Sequence, residues 1–116
     1  MIRRPIASLV ALAALSAVLA LPAVGSARKP APTATVKVGD FFFHPAQLKV
    51  KRNTTVMWHW SGMAPHNVTV TSAPRGASKF HSRTQTSGTY THLLTTKGTY
   101  HLECTIHHFT MTINVT

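Results

Sequence analysis

From residue 33 onward the chain never settles into a helical period. It advances in short runs rich in Val, Thr, Tyr, Phe and Trp, broken by Gly, Pro, Asn and Ser, and that pattern restricts it to a sandwich or barrel of β-strands. Residues 33–38 alternate, with Val36 and Val38 on one face, and residues 47–51 alternate with Leu48 and Val50 inward and Lys49 and Lys51 outward. Residues 55–60 place Val56, Trp58 and Trp60 together, and residues 66–71 put His66, Val68 and Val70 on a common side. Runs at 89–95 and 99–104 follow, joined by a Lys97-Gly98 turn, and 112–116 closes the chain. The expected architecture is an all-β Greek-key sandwich of about seven to eight strands.

The first quarter of the 116 residues does not fit that domain. Met1 to Arg4 is short and basic, Ile6 to Val24 is apolar without a charge, and Gly25-Ser-Ala27 offers small residues for cleavage, the three-part layout of a secretory signal. An uncleaved anchor helix is the competing interpretation, because the apolar run approaches the ~20 residues that span a bilayer; Pro22 and the small residues behind it favour cleavage. The expected organisation is a signal peptide over 1–27, a basic, Pro/Ala-rich tether over 28–33 and one domain over 34–116. Such a protein is exported to the periplasm, the cell surface or the medium.

A domain this short buries a modest core and usually needs added support. A disulfide within the chain is excluded, since Cys104 is the only cysteine. A lone thiol in an exported protein is paired between chains, reactive or bound to metal; inert burial is the bland alternative. Cys104 opens the stretch Cys-Thr-Ile-His-His-Phe-Thr-Met111, which offers a soft thiolate, imidazole and a thioether in one loop. That donor set suits copper rather than calcium or magnesium, and a trigonal His2Cys site with a weak axial Met needs a second imidazole from elsewhere. His66 is a good candidate. By the period of two, Cys104 shares a face with Tyr100 and Leu102, so its sulfur sits at the inner end of the sandwich, where a thiolate needs a cation.

The net charge is +10 at pH 7, and ten of the twelve Lys/Arg lie beyond residue 27, against only Asp40 and Glu103. A field of that sign speeds encounter with acidic partners and with anionic membrane or cell-wall surfaces. Nucleic acid is disfavoured by export and by the lack of a basic helix or of Lys/Arg interleaved with aromatics. Solubility and protection of sheet edges account for the charge equally well.

With the strands laid out, the chain from about residue 34 to its end resembles the cupredoxins, the small plastocyanin-like and amicyanin-like blue copper proteins. The resemblance is carried by Val38-Gly-Asp-Phe-Phe-Phe-His-Pro45, Leu48-Lys-Val50, Thr55-Val-Met-Trp58, Pro65-His-Asn-Val68, Ser87-Gly-Thr-Tyr90, Gly98-Thr-Tyr100 and Cys104-Thr-Ile-His107, in that order. It implies His66, Cys104, His107 and Met111 as ligands to one copper ion, and Asn67 as the residue that holds the cysteine loop. Three residues, His108, Phe109 and Thr110, separate the loop histidine from Met111, which departs from the family's usual spacings and bears on how closely the axial sulfur approaches. The Cys-x-x-His spacing favours His107 over His108, with its ring reaching the surface.

The implied function is that of a monomeric blue copper protein, not an enzyme, that passes single electrons between extracytoplasmic redox partners. Those partners would be acidic at the docking face, guided by Lys/Arg with Phe109 and Met63 as apolar contacts. The alternative is a copper storage or delivery protein with the same ligands. Multicopper oxidases and nitrite reductases resemble cupredoxins but need further domains and a further copper centre. Phe41, Phe42 and Phe43 are assigned no function, since alternation places at least one in the core. His44, His59, His81, His92 and His101 exceed what one copper site requires; solvated strand faces explain most of them, and a weaker secondary metal site is the lesser expectation.

Overall fold

The structure is a computed structural model that describes residues 30–116. The leader expected over 1–27 and the first two residues of the tether lie outside that range. Eight strands follow: β1 (Thr33–Gly39), β2 (Phe42–His44), β3 (Gln47–Val50), β4 (Thr54–Trp60), β5 (Thr69–Ser72), β6 (Thr89–Leu94), β7 (Gly98–Glu103) and β8 (Thr110–Val115). Thr33 already belongs to β1, one residue before the expected domain boundary.

The strands form two four-stranded sheets, ordered β2-β1-β4-β6 and β3-β8-β7-β5, so the architecture is the expected all-β sandwich. Both sheets are mixed. β1 runs parallel to β4 and β3 parallel to β8, while the other pairs are antiparallel. Alternation decides which side chains face between the sheets. Val36, Val38, Val56, Trp58 and Trp60 from the first sheet meet Tyr100, Leu102, Ile113 and Val115 from the second, all buried, while Thr35, Lys37 and His59 point outward. Removing each large apolar side chain from water contributes roughly 1.5–3 kcal/mol, so these rows are the main source of cohesion. Leu48 and Val50 are only partly buried because β3 is an edge strand.

Two elements differ from the sequence expectation. β2 is a three-residue strand made possible by the turn at Phe41, whose φ of 70° lets the chain double back onto β1. The fifth strand begins at Thr69 rather than His66, because residues 66–68 pair with the β5–β6 loop instead. His66 and Gln85 exchange both backbone hydrogen bonds at 3.0 Å, and Ser82 N donates to Val68 O at 2.8 Å. At the opposite pole the expected Lys97-Gly98 turn is present. Gly98 has φ of 131°, and a Cβ there would lie 2.5 Å from Pro74 Cγ, so both conformation and space call for glycine.

The loops after β1, β4 and β7 gather at one end of the sandwich. Ser61 N donates to Val38 O at 2.9 Å, and the Trp60 indole donates to His66 O at 3.2 Å. Those contacts place Asp40, His66 and Cys104 at the same pole.

Candidate metal centre

Cys104 is the first residue beyond β7, and the direction of alternation carries its side chain inward with Leu102. It is fully buried. The loop behind it is tight: Cys104 N donates to Phe109 O at 3.0 Å, and His108 N donates to Cys104 O at 2.7 Å. His108 takes a φ of 62° to turn the chain. That closure aims the ring of His107 back over the cysteine, while His108 faces out and its Nδ1 bonds the Glu103 carboxylate. His66 arrives from the β4–β5 loop, also fully buried.

The three side chains converge. One donor atom each from His66, Cys104 and His107 lies within 4.8 Å of the others, the single such group of three or more candidate His, Cys, Asp or Glu donors among the described residues. His66 Nδ1 is 3.1 Å from His107 Nδ1 and 3.8 Å from Cys104 Sγ. Among the donors of this group the thiolate is soft and the imidazoles borderline, a combination that fits copper. Burial of the sulfur adds to the fit, because a thiolate shielded from water is tolerable only beside a cation.

Asp40, which the sequence did not single out, fixes the orientation of His66. Its Oδ1 lies 2.9 Å from His66 Nε2 and accepts from Ala64 N at 2.9 Å. Met63 N donates to both carboxylate oxygens, at 3.1 and 3.0 Å. These donors, the Met63 amide first, then the His66 ring and the Ala64 amide, hold the Asp40 pKa down at about 2. An ionised carboxylate only accepts, so the proton is on His66 Nε2 and the Nδ1 lone pair faces Cys104 and His107.

Asn67 occupies the role the resemblance gave it. Its Oδ1 accepts from Thr105 N at 3.1 Å and its Nδ2 donates to Thr105 Oγ1 at 2.8 Å, which ties the cysteine loop to the histidine loop. Two aromatic rings complete the surroundings. Phe41, 62% exposed, stands edge-on to His107 with centroids 4.9 Å apart. Phe109 packs on His66 at 5.1 Å and on Phe43 at 4.6 Å. Of the Phe41–Phe43 run, only Phe43 is buried, and Phe41 is a neighbour of the site that alternation alone did not reveal.

Met111 lies in the core, 2% exposed, and its Sδ accepts a hydrogen bond from Trp58 Nε1 at 3.4 Å. Register places it opposite Leu102, while the Cys104 amide bonds to Phe109. The residue directly across from the cysteine is therefore Phe109, and Met111 lies two residues further on, as the second residue of β8. Of the remaining histidines, His44, His59, His81 and His101 are exposed. His92 is half-buried and stacks on Phe80 with centroids 3.8 Å apart.

The model of the copper-binding proteins of the plastocyanin/azurin family matches residues 31–116. No curated protein sequence matches this chain. Among solved structures, the fold is similar to a reduced mutant form of amicyanin, with TM-score 0.66 and 23% identity over 78% of this chain and 88% of that one. It is similar to a purple cupredoxin from Nitrosopumilus maritimus, with TM-score 0.60 and 21% identity over 72% and 99%. A copper-containing nitrite reductase from Thermus scotoductus gives TM-score 0.65 and 25% identity over 81% of this chain but only 24% of that one. The chain is a member of the plastocyanin/azurin family of copper-binding proteins, with copper as its cofactor.

Proposed function

We propose that this protein is a blue copper electron carrier in which His66, Cys104 and His107 hold the ion and Met111 supplies a fourth, weak bond. The observation that carries the proposal is the convergence of two imidazole nitrogens and one buried sulfur within 4.8 Å at the end of a rigid sandwich. Copper bound there supplies one-electron chemistry between Cu(I) and Cu(II). The residues around it keep the donors in place: the Cys104–Phe109 closure holds the sulfur, and Asn67 locks the two ligand loops together. Donors that need not move between oxidation states keep reorganisation small. What supports a weak bond from Met111 is that one sulfur lone pair already takes the Trp58 N–H, leaving the other free.

The electron path to a partner runs through the half-exposed ring of His107. Phe41, Met63 at 90% exposure and Ile106 at 42% supply apolar surface at this pole, enough for a small, transient contact. Beyond residue 27, ten Lys/Arg stand against Asp40 and Glu103, and this excess of positive charge steers an acidic partner toward the chain. The protein acts outside the cytoplasm, after removal of residues 1–27. It is a carrier rather than an enzyme; the nitrite reductase that shares its fold is matched over only 24% of its length.

Voltammetry of the copper-loaded protein tests this. A reversible one-electron wave that disappears when copper is removed is the expected result. Rapid loss of copper to a chelator, with no reversible wave, would assign the same ligands to copper delivery instead.

A further inference from the structure

Asp40 is chemically over-committed for a turn residue. It follows β1 at the foot of a strand that carries no ligand, yet its carboxylate reaches across to the β4–β5 loop and accepts from three groups there: the Met63 and Ala64 amides and the His66 ring. Gly62 makes room for it. A Cβ on that residue would stand 2.3 Å from Asp40 Oδ1. The side chain remains about a third exposed, so the arrangement is not forced by burial of an acid that had to find donors.

The geometry points to Asp40 as a positioning residue for the copper centre, acting through His66 to fix its tautomer, its ring angle and its electron donation; this rests on the copper-carrier function proposed above. The reasoning is electrostatic and geometric. A carboxylate that accepts from Nε2–H leaves only Nδ1 as a donor, on the side where Cys104 Sγ and His107 Nδ1 lie 3.8 and 3.1 Å away. A negative charge on the far nitrogen also makes the near one more basic, and such outer partners characteristically govern metal affinity by about 10–100-fold. More donation to the metal favours Cu(II) over Cu(I), so the carboxylate holds the reduction potential down. The two backbone bonds make the lever stiff, because the oxygen that meets His66 is already held by the Ala64 amide.

Asp40→Ala, Asp40→Asn and Gly62→Ala separate the possibilities, each loaded with copper and measured for affinity against a competing chelator, for visible spectrum and for reduction potential. Asp40→Ala is expected to bind Cu(II) roughly 10–100-fold more weakly and to show a higher potential. Asp40→Asn keeps an acceptor without the charge and should restore the affinity in part while leaving the potential raised. Gly62→Ala, which displaces the carboxylate without deleting it, should move potential and spectrum in the same direction as Asp40→Ala. Variants that melt earlier but keep the wild-type potential, spectrum and affinity would reduce Asp40 to a loop clamp and overturn the inference. If wild-type protein itself binds no copper through its thiolate, it is the carrier proposal that fails, and the inference falls with it.

Discussion

His66 Nδ1 and His107 Nδ1 face each other 3.1 Å apart although 41 positions separate them in the chain. Two like ring nitrogens at that distance are tolerable when one offers a proton and the other a lone pair, or when a cation takes both lone pairs. Asp40 settles the first ring by occupying Nε2, which commits His66 to the lone pair. With His66 committed to its lone pair, the two Nδ1 atoms can hold one ion between them when His107 also presents its lone pair.

Asn67→Ala removes the bonds between the two ligand loops. With each net hydrogen bond contributing about 0.5–1.5 kcal/mol, it should lower stability by about 1–3 kcal/mol and shift the visible spectrum of the copper form. Leu94→Ala is the control, since Leu94 is buried at the other pole of the sandwich. It should cost about 2–5 kcal/mol in chemical denaturation while the spectrum stays as in wild type. Equal spectral shifts in both variants would mean that the site reports general loosening rather than the Asn67 latch.

Met111→Leu probes the fourth bond. A near-isosteric exchange in the core costs less than about 1.5 kcal/mol, so the protein should fold and load copper. Loss of the thioether favours Cu(I), which is content with three donors, and the reduction potential should rise with a changed visible band. An unaltered potential and spectrum would give the axial place to another atom and confine Met111 to its bond with the Trp58 indole.

Part of this site was legible in the sequence through a local rule: period two put Cys104 inward with Tyr100 and Leu102. The choice of His107 in Cys104-Thr-Ile-His107 and the weight on Pro65-His-Asn-Val68 came from the resemblance to the cupredoxins. The all-β sandwich followed from the same alternation. What stayed hidden depends on contacts across loops. Nothing near Asp40 in the chain announces a bond to a ring 26 residues away, Phe41 looked like one of three interchangeable phenylalanines until a positive φ turned it toward His107, and the register that sets Phe109 against Cys104 is fixed by the loop closure rather than by composition. The late start of the fifth strand has the same origin, since residues 66–68 found backbone partners in a loop that no periodicity describes.

His92 makes stability depend on pH. Burial against Phe80 lowers its pKa from the ordinary imidazole value. A depressed folded pKa gives stability that is present above the unfolded value and lost as pH falls through the folded one, because the unfolded chain takes up the proton first. Copper-free protein should therefore become easier to denature as pH drops below the usual histidine range. His92→Gln should flatten that dependence. A wild-type curve that matches the variant throughout would remove His92 from the account.

Titration of the copper-free protein with Cu(II), followed in the visible and repeated with Cys104→Ser, bears most directly on the centre. The expected result is an intense thiolate-to-copper absorption that saturates at one ion per chain and is absent from Cys104→Ser. Copper bound without that band, or a band that survives the loss of the sulfur, would contradict a site built on Cys104.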